Sequence, residues 1–201
     1  MRRLESALRA VVDDLRELGR EFALLGGFAV SARVEPRTTK DIDLAVVVEG
    51  DDDAEQLAFQ LSQRGYTVET TVETTVEHTR SGRLATIRTT SPSGAVVDLL
   101  FASSGIEPEA VQAATELEIL DGLTVPVASV GHLIAMKVLA RDDRHRPQDR
   151  VDLAGLFRAA TKDDIAAARD ALELIVRRGY GRGRPLLQEL DQALEELRTD
   201  A

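Results

Sequence analysis

The sequence predicts an α/β fold of the α+β type, with a mixed-sheet domain over residues 1–128 and a helical domain over residues 129–201. Three observations predict it. Helical and strand-like apolar patterns alternate through the first part. Turn signals at Ser91–Gly94 and Asp121-Gly122 favour antiparallel neighbours within a mixed sheet. From Ser129 onward nearly every segment has helical periodicity.

Composition narrows the classes of function. Of the 201 residues, 43% are apolar, which is enough for a packed core. The absence of cysteine excludes disulfides, thiolate zinc sites and cysteine nucleophiles, and fits a cytoplasmic location. Aromatic residues make up only 3%, too few for a base-stacking surface. Because the net charge is −10, a nucleic-acid partner needs a local basic patch. No window approaches the roughly 20 apolar residues of a membrane span, so we expect no membrane partner.

The first elements follow from periodicity. Apolar residues at helical spacing predict a helix from Leu4 to Leu18, ended by Gly19. EFALLGG predicts a short buried strand, and residues Phe28 to Ala32 form one or two helical turns. KDIDLAVVV predicts the next strand because it is rich in β-branched residues.

A helix and five further strands complete the first part. The helix spans Asp51 to Arg64 and is closed by Gly65. Two short apolar runs flank Asp121-Gly122 and predict a hairpin. The other three strand candidates are Tyr66–Thr75, Arg83–Thr89 and Ala95–Phe101.

The second part predicts a series of helices. SVGHLIAMKVLAR begins with a Ser cap, and Pro147 suits the first turn of the following helix. Two more helices are predicted at Thr161–Arg177 and Pro185–Arg198, joined by the glycine- and arginine-rich segment RRGYGRGRP.

Two carboxylates interrupt the apolar strand KDIDLAVVV. Side chains two apart in a strand face the same side, so Asp41 and Asp43 point together while Ile42 and Leu44 point into the core. Like charges this close are unfavourable unless a cation lies between them. Mg²⁺ takes oxygen ligands, usually one or two carboxylates with substrate phosphates. A strand with one solvated face produces the same spacing, so the motif alone leaves both interpretations open.

The glycines before this strand strengthen the case for a ligand site. Gly26 and Gly27 follow a strand and open a helix. Glycine allows close approach of backbone amides, and a helix N-terminus attracts anions, which together favour a phosphate-binding turn. A tight turn with positive φ is the alternative.

A third carboxylate, Asp98, lies in the centre of the apolar strand GAVVDLLFA. A buried lone carboxylate costs several kcal/mol unless it is paired or bound to metal. Asp98 is therefore a third metal ligand, a base for an attacking hydroxyl, or the partner of an arginine or of backbone groups. Two metals about 4 Å apart, held by three carboxylates, suit an in-line phosphoryl displacement.

Taken together, GGFAVSARVEPRTTKDIDL and the later VVDLL resemble the DNA polymerase β-type nucleotidyltransferase superfamily. With Ala29, Arg37 and Thr38, the pattern is similar to the AbiEii-type abortive-infection toxins and the related MenT toxins. The resemblance continues through Lys137 and the segment QDRVDL, and it covers the chain from Leu24 to Phe157. Aminoglycoside and lincosamide nucleotidyltransferases have a similar spacing.

The resemblance implies a polymerase β-like fold and transfer of NMP from an NTP to a hydroxyl. It also implies two Mg²⁺ ions as cofactors. It implies a metal site of Asp41, Asp43 and Asp98, completed as a catalytic set by Lys137 and Asp152. The implied nucleotide-binding residues are Gly26, Gly27, Arg37, Thr38, Lys40, Lys137 and Asp149. Without the resemblance, Lys137 could snorkel, Asp149 and Asp152 could form salt bridges, and the Arg37–Lys40 loop could be solvated.

The acceptor distinguishes three hypotheses. In the toxin branch it is the 3′ end of tRNA, and a cognate antitoxin is a partner. In the resistance branch it is a drug hydroxyl. A catalytically silent NTP-binding or protein-interaction module is the third possibility. Two basic clusters could hold RNA phosphates: the first consists of Arg141, Arg144, His145, Arg146 and Arg150, the second of Arg177, Arg178, Arg182 and Arg184.

Overall fold

The computed structural model describes residues 2–72, 84–142 and 145–198. Its strands are β1 (Phe22–Leu24), β2 (Asp41–Val46), β3 (Thr67–Val72), β4 (Leu84–Thr90), β5 (Val96–Leu100), β6 (Thr115–Leu120) and β7 (Leu123–Val127). Its helices are α1 (Arg2–Glu17), α2 (Gly26–Arg33), α3 (Asp51–Gln63), α4 (Glu107–Gln112), α5 (Val130–Ala140), α6 (Pro147–Ala159), α7 (Lys162–Arg177) and α8 (Leu186–Arg198).

The strands form one seven-stranded mixed sheet in the order β3-β4-β5-β2-β1-β7-β6. The pairs β1–β7 and β2–β5 are parallel and the other four are antiparallel. The predicted fold class, a mixed and largely antiparallel sheet with helices, is confirmed. Strand β2 lies at the centre of the sheet, which places the Asp-Ile-Asp motif in the middle of the molecule.

The predicted N-terminal elements are present. Five apolar residues of α1 are buried, namely Ala7, Leu8, Val11, Val12 and Leu15, and Gly19 ends the helical segment with a φ of +66°. The turn before β5 is closed by a hydrogen bond from Gly94 N to Ser91 O of 2.7 Å. Gly122 has a φ of +69° in the β6–β7 hairpin, as the Asp-Gly signal predicts. Residues 73–75 and 83 of the predicted strands lie outside the described residues.

Short helix α4 is not predicted from the sequence. Its six residues are too few to show helical periodicity, and Pro108 lies in its first turn. Glu107 fixes this turn: its Oε1 accepts hydrogen bonds from Ser103 Oγ, Ser104 N and Ser104 Oγ at 2.7 to 2.9 Å. Local donors thereby satisfy one oxygen of this fully buried carboxylate, whereas its Oε2 is buried without a hydrogen-bond partner.

The C-terminal helices begin where the cap signals predict. Ser129 caps α5 by accepting a hydrogen bond from His132 N, and Pro147 opens α6. Thr161 and Asp164 form a reciprocal capping box at α7. Buried side chains of these helices belong to the same hydrophobic cluster as those of the sheet. A division into domains at residue 128 stays a prediction. Among the helices of the described residues, none is both long and apolar enough to cross a membrane.

Candidate active site

Asp41, Asp43 and Asp98 lie on one face of the sheet. In the parallel register of β2 and β5, Asp43 is directly abreast of Asp98, and Asp41 is abreast of Val96. Ile42 and Leu44, on the opposite face, are fully buried. Strand alternation places Asp41 and Asp43 on one face, as the sequence predicts, and the register of β2 against β5 adds Asp98 to it.

Burial and the neighbouring carboxylates make the ionised form of Asp43 less favourable. Burial, and then the charges of Asp41 and Asp98, raise its pKa to about 6. Lys137 and Arg146 lower the pKa of Asp43, so both cations are close enough to act on its charge. Anionic Asp43 is therefore only partly compensated by the protein, and a divalent cation at this face would relieve the remaining repulsion.

The third carboxylate is engaged by an arginine. Arg88 donates from Nε to Asp98 Oδ1 at 2.9 Å and from Nη2 to Asp98 Oδ2 at 2.8 Å. The two residues are directly opposite in the antiparallel β4–β5 register. The ion-pair alternative for Asp98 is thus the arrangement that the structure contains, and its role as a metal ligand stays a prediction.

The acidic face fits a magnesium ion through two of its carboxylates. In the part of the chain that the structure describes, no group of three or more His, Cys, Asp or Glu side chains is arranged to hold a metal ion. Asp41 and Asp43 remain as a pair of carboxylates beside a glycine turn. One or two carboxylates with substrate phosphates is the usual protein contribution to a Mg²⁺ site, so these residues suit the ion without Asp98.

The close approach of Asp43 requires a glycine at position 26. Gly26 has a φ of +57°, and a Cβ built on it would lie 1.8 Å from Asp43 Oδ2. Leu25 N donates a hydrogen bond of 2.8 Å to Asp43 O, which fixes the two segments against each other. Helix α2 begins at Gly26, next to Asp43, and Leu25 offers no side-chain cap to its first N–H groups.

Gly27 makes room for the loop before β2. A Cβ on Gly27 would lie 2.7 Å from Thr39 Oγ1 and 2.9 Å from Arg37 Nη2. Both glycines of the motif therefore have a steric reason to be glycine, Gly26 toward Asp43 of β2 and Gly27 toward the loop. Of the other predicted phosphate ligands in this loop, Thr38 and Lys40 are exposed to solvent.

The loop is tied to the helical half through Asp152. Arg37 pairs with Asp152 through Nε at 2.7 Å and Nη2 at 2.8 Å. Gln148 donates to Asp152 at 3.2 Å, and Lys137 Nζ lies 2.8 Å from it. With a side chain only 1% exposed, Asp152 is a buried anion surrounded by three donors. The structure thus brings the predicted residues Arg37, Lys137 and Asp152 into one cluster.

Lys137 also binds Asp149, with Nζ 2.7 Å from Oδ1. The second oxygen of Asp149 is buried and has no hydrogen-bond partner, and Arg146 Nε is 3.9 Å away. An unsatisfied buried carboxylate oxygen is costly, so this atom is a candidate acceptor for a donor on a ligand. In the structure, Lys137 forms salt bridges with Asp149 and Asp152, as the salt-bridge alternative expects.

Most of the second basic cluster has structural contacts. Arg178 pairs with both oxygens of Glu109 and donates to Gly105 O. Arg184 pairs with Glu189 and donates to the carbonyls of Val138 and Leu139. In the first cluster, His145, Arg146 and Arg150 are exposed at the start of α6, whereas Arg144 lies outside the described residues.

Sequence reasoning does not find Arg88, Thr39 and Gln148, and it places Arg146 only in a general basic cluster. Arg88 is an exposed residue between buried Ile87 and Thr89 in a strand and shows no local sign of a partner. Its pairing depends on the register of β4 against β5, which no short motif encodes.

A mixed sheet with a central acidic pair next to a glycine-opened helix is the arrangement expected of a nucleotidyltransferase, and the comparison with protein families confirms that class. The sequence model described as "Nucleotidyl transferase AbiEii toxin, Type IV TA system" matches residues 9–201, and the chain therefore belongs to the AbiEii nucleotidyltransferase toxin family. This membership confirms the resemblance drawn from the motifs. No curated protein matches the chain.

Solved structures support the fold. An antigenic nucleotidyltransferase-like protein from Paracoccidioides brasiliensis matches with 21% identity and a TM-score of 0.51, over 96% of this chain and 92% of that one. The lincosamide antibiotic adenylyltransferase LnuA, in its lincomycin-bound form, matches with 14% identity and a TM-score of 0.52, over 78% of this chain and 98% of that one. At these identities the likeness shows a shared fold.

Proposed function

We propose that this nucleotidyltransferase uses Mg²⁺ to transfer NMP from an NTP to the 3′ end of tRNA, and acts as a toxin restrained by a cognate antitoxin. The observation that carries the proposal is the Asp41–Asp43 pair on the central strand, with Asp43 against the first residue of α2. This pair combines crowded negative charge with helix amides that favour phosphate.

Asp41 and Asp43 would hold the ion. When bound, Mg²⁺ supplies positive charge that binds the triphosphate and stabilises the charge of the departing pyrophosphate. In the reaction, the acceptor oxygen forms a bond to the α-phosphorus, and the bond from that phosphorus to the bridging oxygen of the β-phosphate breaks. The hydroxyl proton passes to a carboxylate of the acidic face or to solvent. The protein contributes mainly positioning and charge.

The first amides of α2 are assigned to the phosphates, with Thr38 and Lys40 at the rim. Lys137 acts on the charge of Asp43 and is held by two carboxylates, so it is placed to give its charge to the triphosphate. Asp152 is a positioning residue in this scheme because it fixes both Lys137 and Arg37. The unsatisfied oxygen of Asp149 is assigned to an N–H donor of the nucleotide.

An RNA acceptor is supported by the charge at the entrance of α6. Arg146 acts on Asp43 and is itself 67% exposed, and His145 and Arg150 are exposed next to it. A basic rim beside an acidic catalytic face suits an acceptor with a phosphate backbone. The family description as the toxin of a toxin–antitoxin system supports the proposed restraint by an antitoxin, and the absence of cysteine suits the reducing cytoplasm where tRNA is found.

The test is incubation of the protein with Mg²⁺, each α-labelled NTP in turn and total tRNA. We expect label in tRNA from at least one NTP, and none when the tRNA 3′ end has been oxidised with periodate, since the accepting hydroxyl is then lost. Label on a drug panel but not on tRNA would support a small-molecule enzyme instead. Nucleotide binding without transfer to any acceptor would support a silent binding module. Expression should arrest growth, and the Asp43→Asn variant should relieve the arrest.

A further inference from the structure

Arg88 of β4 engages both carboxylate oxygens of Asp98 on the neighbouring strand β5. Two parallel hydrogen bonds, at 2.9 and 2.8 Å, join the guanidinium to the two oxygens. Such bidentate pairs are among the stronger hydrogen-bonded contacts in proteins. The pairing is built into the sheet because the two residues are cross-strand partners.

The two partners differ in exposure. The Asp98 side chain is 11% exposed, whereas the Arg88 side chain is 52% exposed. Asp98 raises the pKa of Arg88 most strongly, and Asp41 raises it further, so the guanidinium also feels the acidic pair on β2. Arg88 thus lies at the solvent edge of the acidic face, with its charge turned toward the carboxylates that would hold a metal ion.

We propose that Arg88 is a positioning residue that holds Asp98 in the free protein and competes with divalent cations for it. The inference rests on the proposed metal site. Arginine keeps its proton at all accessible pH values, so it yields Asp98 only by moving away. Like charges repel, so a cation and this guanidinium exclude each other at the same oxygens. Asp41 and Asp43 therefore form the primary cation site, and Asp98 joins a second site only after Arg88 leaves.

The experiment is a titration of the full chain with Mn²⁺ in the absence of nucleotide. Binding is measured by calorimetry and by the electron paramagnetic resonance signal of free Mn²⁺. Arg88→Gln is compared with the wild type and with Arg178→Gln, which removes the same charge from a different bidentate pair, that with Glu109 of α4. Each titration is repeated in an Asp98→Asn background. The background variant separates the release of Asp98 from the general loss of one positive charge.

We expect Arg88→Gln to raise Mn²⁺ affinity by about tenfold or more. In the wild type the cation must displace charge-assisted hydrogen bonds from Asp98, and the loss of one such bond corresponds to about a factor of ten or more in an equilibrium constant. Arg88→Lys, which retains the charge but not the paired donors, should give a smaller rise. Both gains should largely disappear in the Asp98→Asn background, and Arg178→Gln should bind Mn²⁺ like the wild type.

Equal Mn²⁺ affinity in the wild type and Arg88→Gln would overturn the inference, as would an equal gain with and without Asp98. If Arg88→Gln does not fold because Asp98 is left unpaired, Arg88→Lys decides, and an unchanged affinity in that variant overturns the inference. The proposed metal site has its own test. If Asp41→Asn and Asp43→Asn bind Mn²⁺ like the wild type, that site fails. If they abolish binding while the Arg88 variants have no effect, only the competition fails.

Discussion

Replacing Gly26 by alanine tests the contact on which the site is built. The backbone φ of +57° is unfavourable for alanine by about 1–2 kcal/mol. The new Cβ would also lie 1.8 Å from Asp43 Oδ2 and 2.5 Å from Asp43 Cγ, so the carboxylate must rotate away. A forced rotamer adds about 1 kcal/mol. We therefore expect a loss of about 2–3 kcal/mol in the free energy of unfolding.

Gly19→Ala is the matched control for this variant. Gly19 has a φ of +66°, but nothing lies within 4 Å of its added Cβ. Both substitutions share the backbone cost, and only Gly26→Ala moves Asp43, a carboxylate of the proposed metal site. Thermal unfolding should show a Tm lower by about 2–8 °C in Gly19→Ala and by about 4–12 °C in Gly26→Ala, since about 1 kcal/mol corresponds to about 2–4 °C at this chain length.

Activity should separate the two variants. A displacement of about 1 Å at a reacting centre costs on the order of 10²-fold in rate, so Gly26→Ala should lose NMP transfer by about that factor. Gly19→Ala should keep transfer near the wild-type level. If Gly26→Ala transfers NMP within about threefold of Gly19→Ala, the assignment of Gly26 as the support of Asp43 is wrong.

Two further predictions concern stability. Lys137→Met leaves Asp149 without its hydrogen-bonded cation and Asp152 with one donor fewer, so urea unfolding should show a loss of about 3 kcal/mol in the free energy of unfolding. The control Lys162→Met, at an exposed position, should have little effect. A loss in Lys137→Met no greater than in the control would contradict a buried Lys137 cluster. Burial lowers the pKa of His132 below its usual 6.5, with a smaller opposing contribution from Glu109. The unfolded chain therefore takes up this proton first, so the free energy of unfolding should decrease as the pH falls through about 6.5 toward the folded-state pKa. His132→Gln should remove that part of the pH dependence, and an unchanged pH profile would refute the assignment.

Local patterns predict most of the elements because their causes are local. The helical spacing in α1, the Ser129 cap and the Asp-Gly hairpin each depend on residues that are neighbours in the chain. The shared face of Asp41 and Asp43 follows from strand alternation alone. The position of Asp43 abreast of Asp98 depends on the register of β2 against β5, which no local pattern specifies.

The contacts that complete the site are long-range and were not predictable. Arg37 and Asp152 are 115 residues apart, and their pairing depends on the packing of a loop against α6. The sequence makes Arg37 a candidate phosphate ligand, whereas the structure shows its guanidinium bound to a buried carboxylate. Arg88 shows the same limit, because strand register decides which side chain meets Asp98. Chain composition also overstates the second basic cluster, in which Arg178 and Arg184 connect elements of the fold.

The most direct test of the central claim is NMP transfer to tRNA by matched aspartate variants. Asp41→Asn and Asp43→Asn each remove one charge from the acidic face, and Asp13→Asn removes one from the exposed side of α1. With label, Mg²⁺ and tRNA in excess, we expect transfer by the wild type and Asp13→Asn. Each site variant should lose about 10³-fold or more, as electrostatic groups at a reacting centre commonly do. Transfer by Asp41→Asn and Asp43→Asn at the rate of Asp13→Asn would show that the chemistry takes place elsewhere.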